Sequence, residues 1–182
     1  MTDTRSLRDA LAMFRARNGL PSDETTARTW RCNIGPLVVR LPNFTWRRRA
    51  ILAHDLHHVL TGYPCSLRGE FQIAAWEFGA GPMPHWGARV FCLPLVLIGV
   101  AWSPRRIWRA YCDGHASTSL HGERIDDVFL SAPVSVIDRR TKIHPVPYQG
   151  RRVRFFGLLA EAALILSTPF LIGTIAWLVV SR

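Results

Sequence analysis

The chain has 182 residues, 48% of them hydrophobic, yet 23 basic side chains stand against 13 acidic ones for a formal charge of +10. That apolar content excludes a disordered basic tail, and the length suits one domain with a sizeable core plus one appended element. Twenty-two of the basic residues are arginine and only Lys142 is lysine. This suits phosphate or lipid head groups, which a guanidinium grips as a fork, although a GC-rich genome produces the same bias. Cys32, Cys65, Cys92 and Cys112 form no Cys-x-x-Cys pair, so neither a zinc ribbon nor a disulfide framework is indicated. No apolar h-region opens the chain, and a reducing, cytoplasmic exposure of the main domain is expected.

Residues 4–18 read as a short amphipathic helix. Leu7, Ala10, Leu11 and Phe14 form its stripe, Arg5, Arg8, Arg15 and Arg17 surround it, and Asn18-Gly19 stops it. Such a helix packs on the domain or lies on a membrane surface; packing is the commoner outcome. Asp3 and Asp9 argue against a mitochondrial presequence. Residues 20–44, rich in Pro, Thr, Asn and Gly, read as an irregular approach, so 1–45 form an N-terminal unit ahead of a helical domain at 46–147. Within that domain 46–60 read as a helix ended by Thr61-Gly62-Tyr63-Pro64, and 67–79 as a second helix capped by Ser66. The apolar stretch 86–102 contains Pro94 and is short for a bilayer span, which points to a core helix or the wall of a lipid pocket. Ser103-Pro104 starts a further helix, and 113–147 are mixed and polar.

Residues 155–180 carry one charge, Glu161, in 26 positions. As a helix they extend about 39 Å, more than the hydrocarbon core of about 30 Å. They are expected to form a C-terminal transmembrane-like helix. Arg151, Arg152 and Arg154 place its amino side in the cytoplasm, at the inner membrane of a bacterium. The expected fold class is all-α: a compact helical domain with a metal site in a helical hairpin, plus this anchor.

The chemistry concentrates in His54-Asp55-Leu56-His57-His58 and Glu70. At 100° per residue, His58 lies about 40° and Asp55 about 100° from His54, whereas His57 falls about 60° to the other side. Histidines at i and i+4 can reach one metal ion. Pro64 is midway between His58 and Glu70, so in an antiparallel hairpin the two stand at one depth. His54, Asp55, His58 and Glu70 then converge as ligands suited first to Zn²⁺, with Fe²⁺, Mn²⁺ or Mg²⁺ as alternatives. Asp55 or Glu70, if not ligated, could serve as a proton acceptor. Core histidines with Asp55 merely orienting an imidazole are the competing reading. A desaturase box, an HD phosphohydrolase site and a zincin helix each fit less well. The remaining histidines (His85, His115, His121, His144) are scattered, no further spaced His-Asp ligands are evident, and Asp rather than Glu follows the first His.

The block HDLHHVLTGYPCSLRGE, with His54-Asp55-x-x-His58 followed by eleven residues and Glu70, resembles the metal motif of the coenzyme Q (ubiquinone) biosynthesis family. A looser likeness continues through Trp108…Tyr111, Gly114, Leu120 and Pro133…Arg139, covering about 40–145. The resemblance implies an all-helical fold, a bound zinc or similar ion at His54, Asp55, His58 and Glu70, and a groove for polyprenyl lipids. It also implies a membrane association and partnership with other quinone-synthesis enzymes. The implied reaction replaces a ring carboxyl of a polyprenylated benzoquinone precursor by hydroxyl. A non-catalytic lipid-binding scaffold, and an enzyme acting on another isoprenoid lipid, are the alternatives. The apolar segment 155–180 departs from the family. A groove is expected along 86–102 with Phe71, Trp76 and Phe78. No zinc-finger or helix-turn-helix signature is present and the arginines are scattered, so no nucleic-acid partner is expected.

Overall fold

A computed structural model describes residues 3–23, 25–34, 37–141 and 151–180, with side chains outside 32–37 and 170–180. Among these residues the protein is mostly helical. Helix α1 spans Leu7–Arg17, α2 Thr45–Thr61, α3 Leu67–Ala80, α4 Trp86–Trp102, α5 Pro104–His115, α6 Asp127–Ser131, α7 Val134–Thr141 and α8 Arg151–Val180. Two strands, β1 (Thr29–Ile34) and β2 (Leu37–Pro42), pair antiparallel from Thr29 opposite Pro42 to Ile34 opposite Leu37. This hairpin corrects the irregular approach expected at 20–44. Strands of six residues leave little periodicity beside the surrounding Pro and Gly.

Two apolar clusters share the interior. Leu7, Ala10 and Leu11 of α1 pack with Ala53 and Leu56 of α2, Leu120, and Val134 and Ile137 of α7. Ser6 caps α1 by accepting the Asp9 N–H, and Asp9 and Arg15/Arg17 sit at the ends that the helix dipole favours. The α1 helix is therefore a packed element of the domain. The second cluster joins Phe71, Ile73 and Trp76 of α3, Leu93 and Val96 of α4, Ile107 and Tyr111 of α5, and Phe155, Leu158 and Ala162 of α8. The α3–α5 crossing is close because Gly79 and Gly114 carry no side chain. A Cβ on Gly79 would collide with the Tyr111 carbonyl, and one on Gly114 with the Trp76 carbonyl.

Helix α8 is a single helix whose first half packs on the domain. Its first turns belong to the domain: the Phe155 ring lies 5.1 Å from Trp108 and 4.9 Å from Tyr111. Glu161 accepts from Arg89 Nη2 of α4 at 2.6 and 2.8 Å. An apolar helix with an ion-paired acid and a packed stripe at 155, 158 and 162 is built for protein contact on that side. Among the described residues no helix is long and apolar enough to cross a membrane. The second half of the expected span lies outside the described side chains, as do residues 142–147 of the expected central domain.

Candidate metal centre

Helix α2 runs between the two apolar clusters and carries the polar residues buried there. Its end is set by Gly62, whose φ of 74° places it in the left-handed region. That turn brings the Tyr63 carbonyl back onto the helix, where it accepts from His58 Nδ1 at 2.8 Å. Ser66 then caps α3 through the Gly69 N–H, which starts that helix with Glu70 in its first turn.

Three side chains from the two helices converge. His54 Nε2 lies 3.2 Å from His58 Nε2 and 3.3 Å from Glu70 Oε2, and His58 Nε2 lies 3.4 Å from Glu70 Oε1. The tautomers follow from the outer partners. A carbonyl only accepts, so His58 Nδ1 carries the proton. Glu77 Oε1 stands 3.1 Å from His54 Nδ1, and an ionised carboxylate also only accepts. Both Nε2 atoms are left as lone pairs facing each other and a carboxylate. Four acceptors without a donor repel one another unless a cation or proton sits among them. A divalent ion fits this set, with His54, His58 and Glu70 as its ligands. Three protein ligands are one fewer than the four of structural zinc sites.

Without an ion, the same place attracts a proton. Burial opposes charge on His54, but the carboxylates of Glu77 and Glu70 outweigh it and hold its pKa well above the imidazole range. Burial likewise pushes Glu70 up, yet where a proton rather than an ion sits among the acceptors the His54 and His58 rings donate to its carboxylate and draw it down to about 2.

Asp55 does not join these ligands, a correction to the expected set of four. Its Oδ2 accepts from Arg15 Nε at 2.8 Å, with Nη2 at 2.7 Å, in a nearly buried pair that ties α1 to α2. Around 100° from His54, Asp55 looks toward α1, and a buried guanidinium there holds the carboxylate. The same commitment removes it as a proton acceptor. From α1 the Phe14 ring also stacks on His58 at 5.3 Å, closing one edge of the site. Asp55→Asn is expected to cost about 3–5 kcal/mol of stability, the scale for breaking a buried pair, while leaving ion content unchanged. Loss of the ion at unchanged melting temperature would instead make Asp55 a ligand.

Two further residues were not identified from the sequence. Glu77, 1% exposed, gathers His54, His57 and His121 on Oε1, with His57 Nδ1 at 2.7 Å and His121 Nε2 at 3.2 Å. Its other oxygen, Oε2, is buried without a partner among the described residues. Burial lowers the His57 pKa to about 4, and His57 Nε2 accepts the Leu120 N–H at 2.9 Å. Both His57 nitrogens are thus engaged, so His57, Glu77 and His121 form a supporting network rather than an open second ion site. The signal for Glu77 was its spacing: seven residues after Glu70, it shares that helix face. His121 follows no period.

A cavity of about 260 Å³ reaches the centre. Trp30 of β1, Trp46 and Ile51 of α2, and Phe91, Cys92 and Leu95 of α4 line it, together with His54, Glu70, Glu77 and His121. The groove residues expected from α4 are present, but Phe71, Trp76 and Phe78 pack in or against the core instead. Arg47 covers Trp30, its guanidinium carbon 3.9 Å from the ring centroid. No family model, curated protein or solved structure matches the chain.

Proposed function

We propose that the protein is a metal-dependent, membrane-associated enzyme of quinone synthesis that acts on a polyprenylated aromatic precursor. The observation that carries this reading is a set of acceptor-only ligands opening into an apolar cavity. A water-soluble substrate does not call for walls of Trp, Ile, Phe and Leu, and a structural ion does not call for an open position. Zn²⁺ is the first choice for two imidazoles and a carboxylate, with Fe²⁺, Mn²⁺ or Mg²⁺ behind it. Such an ion supplies Lewis acidity toward a ring carboxylate or carbonyl.

His54, His58 and Glu70 hold the ion, and Glu77 orients His54. Trp30, Trp46, Phe91 and Leu95 exclude water from the ring. The cavity is small beside typical ligand pockets of about 300–1,000 Å³, so it takes the ring while the isoprenoid tail extends past Phe91 and Leu95. Replacing a ring carboxyl by a hydroxyl from water breaks the ring–carboxyl bond, releases CO₂ and a proton, and removes two electrons from the ring, so a two-electron acceptor is a co-substrate. The resemblance in the motif block adds partnership with other quinone-synthesis enzymes at the cytoplasmic face of a bacterial inner membrane.

The test is ion content of the purified chain followed by turnover of a carboxylated polyprenyl-phenol in a membrane mimic with a two-electron acceptor. Carbon dioxide release that requires the ion and is lost in Glu70→Ala supports the reading. Ion and lipid bound without turnover would identify a non-catalytic lipid-binding scaffold.

A further inference from the structure

Helix α4 presents an outward face that the described fold leaves mostly exposed, with Trp46 against Gly87 at one end and Phe71 and Arg68 beside Trp102 at the other. At 100° per residue, Trp86, Val90, Phe91, Ile98, Ala101 and Trp102 fall within an arc of about 160°. All six are exposed, Trp86 at 79%, Phe91 at 60% and Trp102 at 57%. The one charged residue of the helix, Arg89, turns the other way to meet Glu161. Five turns of helix therefore show solvent an apolar half-cylinder with a tryptophan at each end, far beyond the scattered apolar residues of an ordinary surface.

We propose that this face lies in the interface of an anionic lipid bilayer, parallel to its plane, and delivers the substrate to the cavity. The charge distribution selects this occupant. No acidic residue occurs between Glu77 and Asp113, while Arg105 and Arg106 lie three and four residues after Trp102 and are exposed. Arg68 sits over the Trp102 ring at 5.6 Å, and Arg152 and Arg154 are exposed at the start of α8. Tryptophans at the level of the head groups, flanked by cations, are the composition of a helix lying in an anionic interface. A second copy fits poorly. A two-fold interface sets the same patch against itself, arginines included, with no acid on α4 or its flanks to pair with them.

The depth is consistent too. Helix α4 is packed along its inner side, so only the outer half is free to enter, which suits the roughly 5–10 Å that interfacial helices reach. Phe91 and Leu95 belong both to α4 and to the cavity wall. The route from lipid to metal ligands then begins at the bilayer, and an isoprenoid tail stays there while the ring enters.

This inference rests on the proposed lipid substrate for its delivery role, but the contact itself is measured separately. Full-length protein is incubated with phosphatidylcholine vesicles, with or without about 30% phosphatidylglycerol, and sedimented. Anionic vesicles are expected to bind about tenfold or more tightly, with the gain shrinking at high salt. Ile98→Glu/Trp102→Glu and, separately, Trp86→Glu are expected to lose about tenfold or more of that affinity. All three positions are exposed, and unchanged ion content shows that the fold is intact. Variants that sediment like the parent protein overturn the proposal. So does a dimer dissociated by the same substitutions with no vesicle binding. His54→Ala is expected to bind vesicles like the parent, so failure of the metal reading leaves this surface standing. Loss of vesicle binding alone leaves the ion content untouched.

Discussion

His58→Ala and Glu70→Ala are each expected to reduce the bound ion from one per chain to near zero in the presence of a competing chelator. Structural zinc sites contribute about 10–16 kcal/mol, which shared among three or four ligands is about 3 kcal/mol or more each. That corresponds to a loss on the order of 10²–10³-fold in affinity. The stability readout is independent of activity. At metal about 1,000-fold above Kd, binding stabilises the native state by about 4 kcal/mol, or roughly 8–16 °C in Tm for a domain of this size. The parent should lose that increment on chelation, and the two variants should have none to lose. A parent Tm indifferent to chelator and to added Zn²⁺ would remove the metal centre altogether.

The pH dependence of the metal-free protein follows from the same residues, with its sign fixed by the shifts. His54 is raised above its ordinary 6.5, so its contribution is complete below that value and is lost as pH rises through the higher folded value. Glu70 is lowered from 4.5 to about 2, so its contribution is present above 4.5 and is lost as pH falls toward 2. Chelated protein should therefore be most stable between these limits and weaken on the alkaline side. Metal replaces the proton among the acceptors, so its affinity should climb as pH rises through the neutral range, and the metal-loaded protein should keep its stability there.

The sequence made some of this legible and hid the rest for physical reasons. His54, His58 and Glu70 could be placed because two periodic helices and one turn fix their relative depth. Glu70 belongs to α3, and the turn at Gly62 is written in a residue that tolerates positive φ. Asp55 could not be placed from α2 alone, because its orientation is decided by Arg15, forty residues earlier on a helix of uncertain docking. His121 sits in a segment without periodicity, and its approach to Glu77 depends on how the chain returns after α5. Apolarity over 155–180 does not distinguish a bilayer span from a helix packed along one side. What ties the first half of that segment to the domain is Glu161, whose partner, Arg89, lies 72 positions away.

Glu77→Gln is expected to raise the dissociation constant of the ion about 10–100-fold without changing its one-to-one stoichiometry at saturation, the usual effect of altering the carboxylate behind a ligating histidine. The charge on Glu77 keeps the proton on His54 Nδ1 and makes Nε2 a better donor to metal. A carboxamide removes that charge and turns an N–H₂ group toward one of the imidazole nitrogens. The same oxygen holds His57 Nδ1, whose ring in turn accepts the Leu120 N–H, so Glu77 links α2, α3 and the segment after α5. Glu77→Ala goes further: it strands two buried N–H donors, at about 1–3 kcal/mol each, and opens a void, for a total of about 3–5 kcal/mol. That is a large share of the 5–15 kcal/mol that holds a domain together. The size of the loss and the chelator separate this residue from a ligand. In Glu70→Ala affinity falls on the order of 10²–10³-fold and a competing chelator strips the ion, whereas in Glu77→Gln the loss is about 10–100-fold and titration reaches one ion per chain. A dissociation constant within about twofold of the parent would show that His54 needs no carboxylate behind it, and that Glu77 serves the packing of His57 alone.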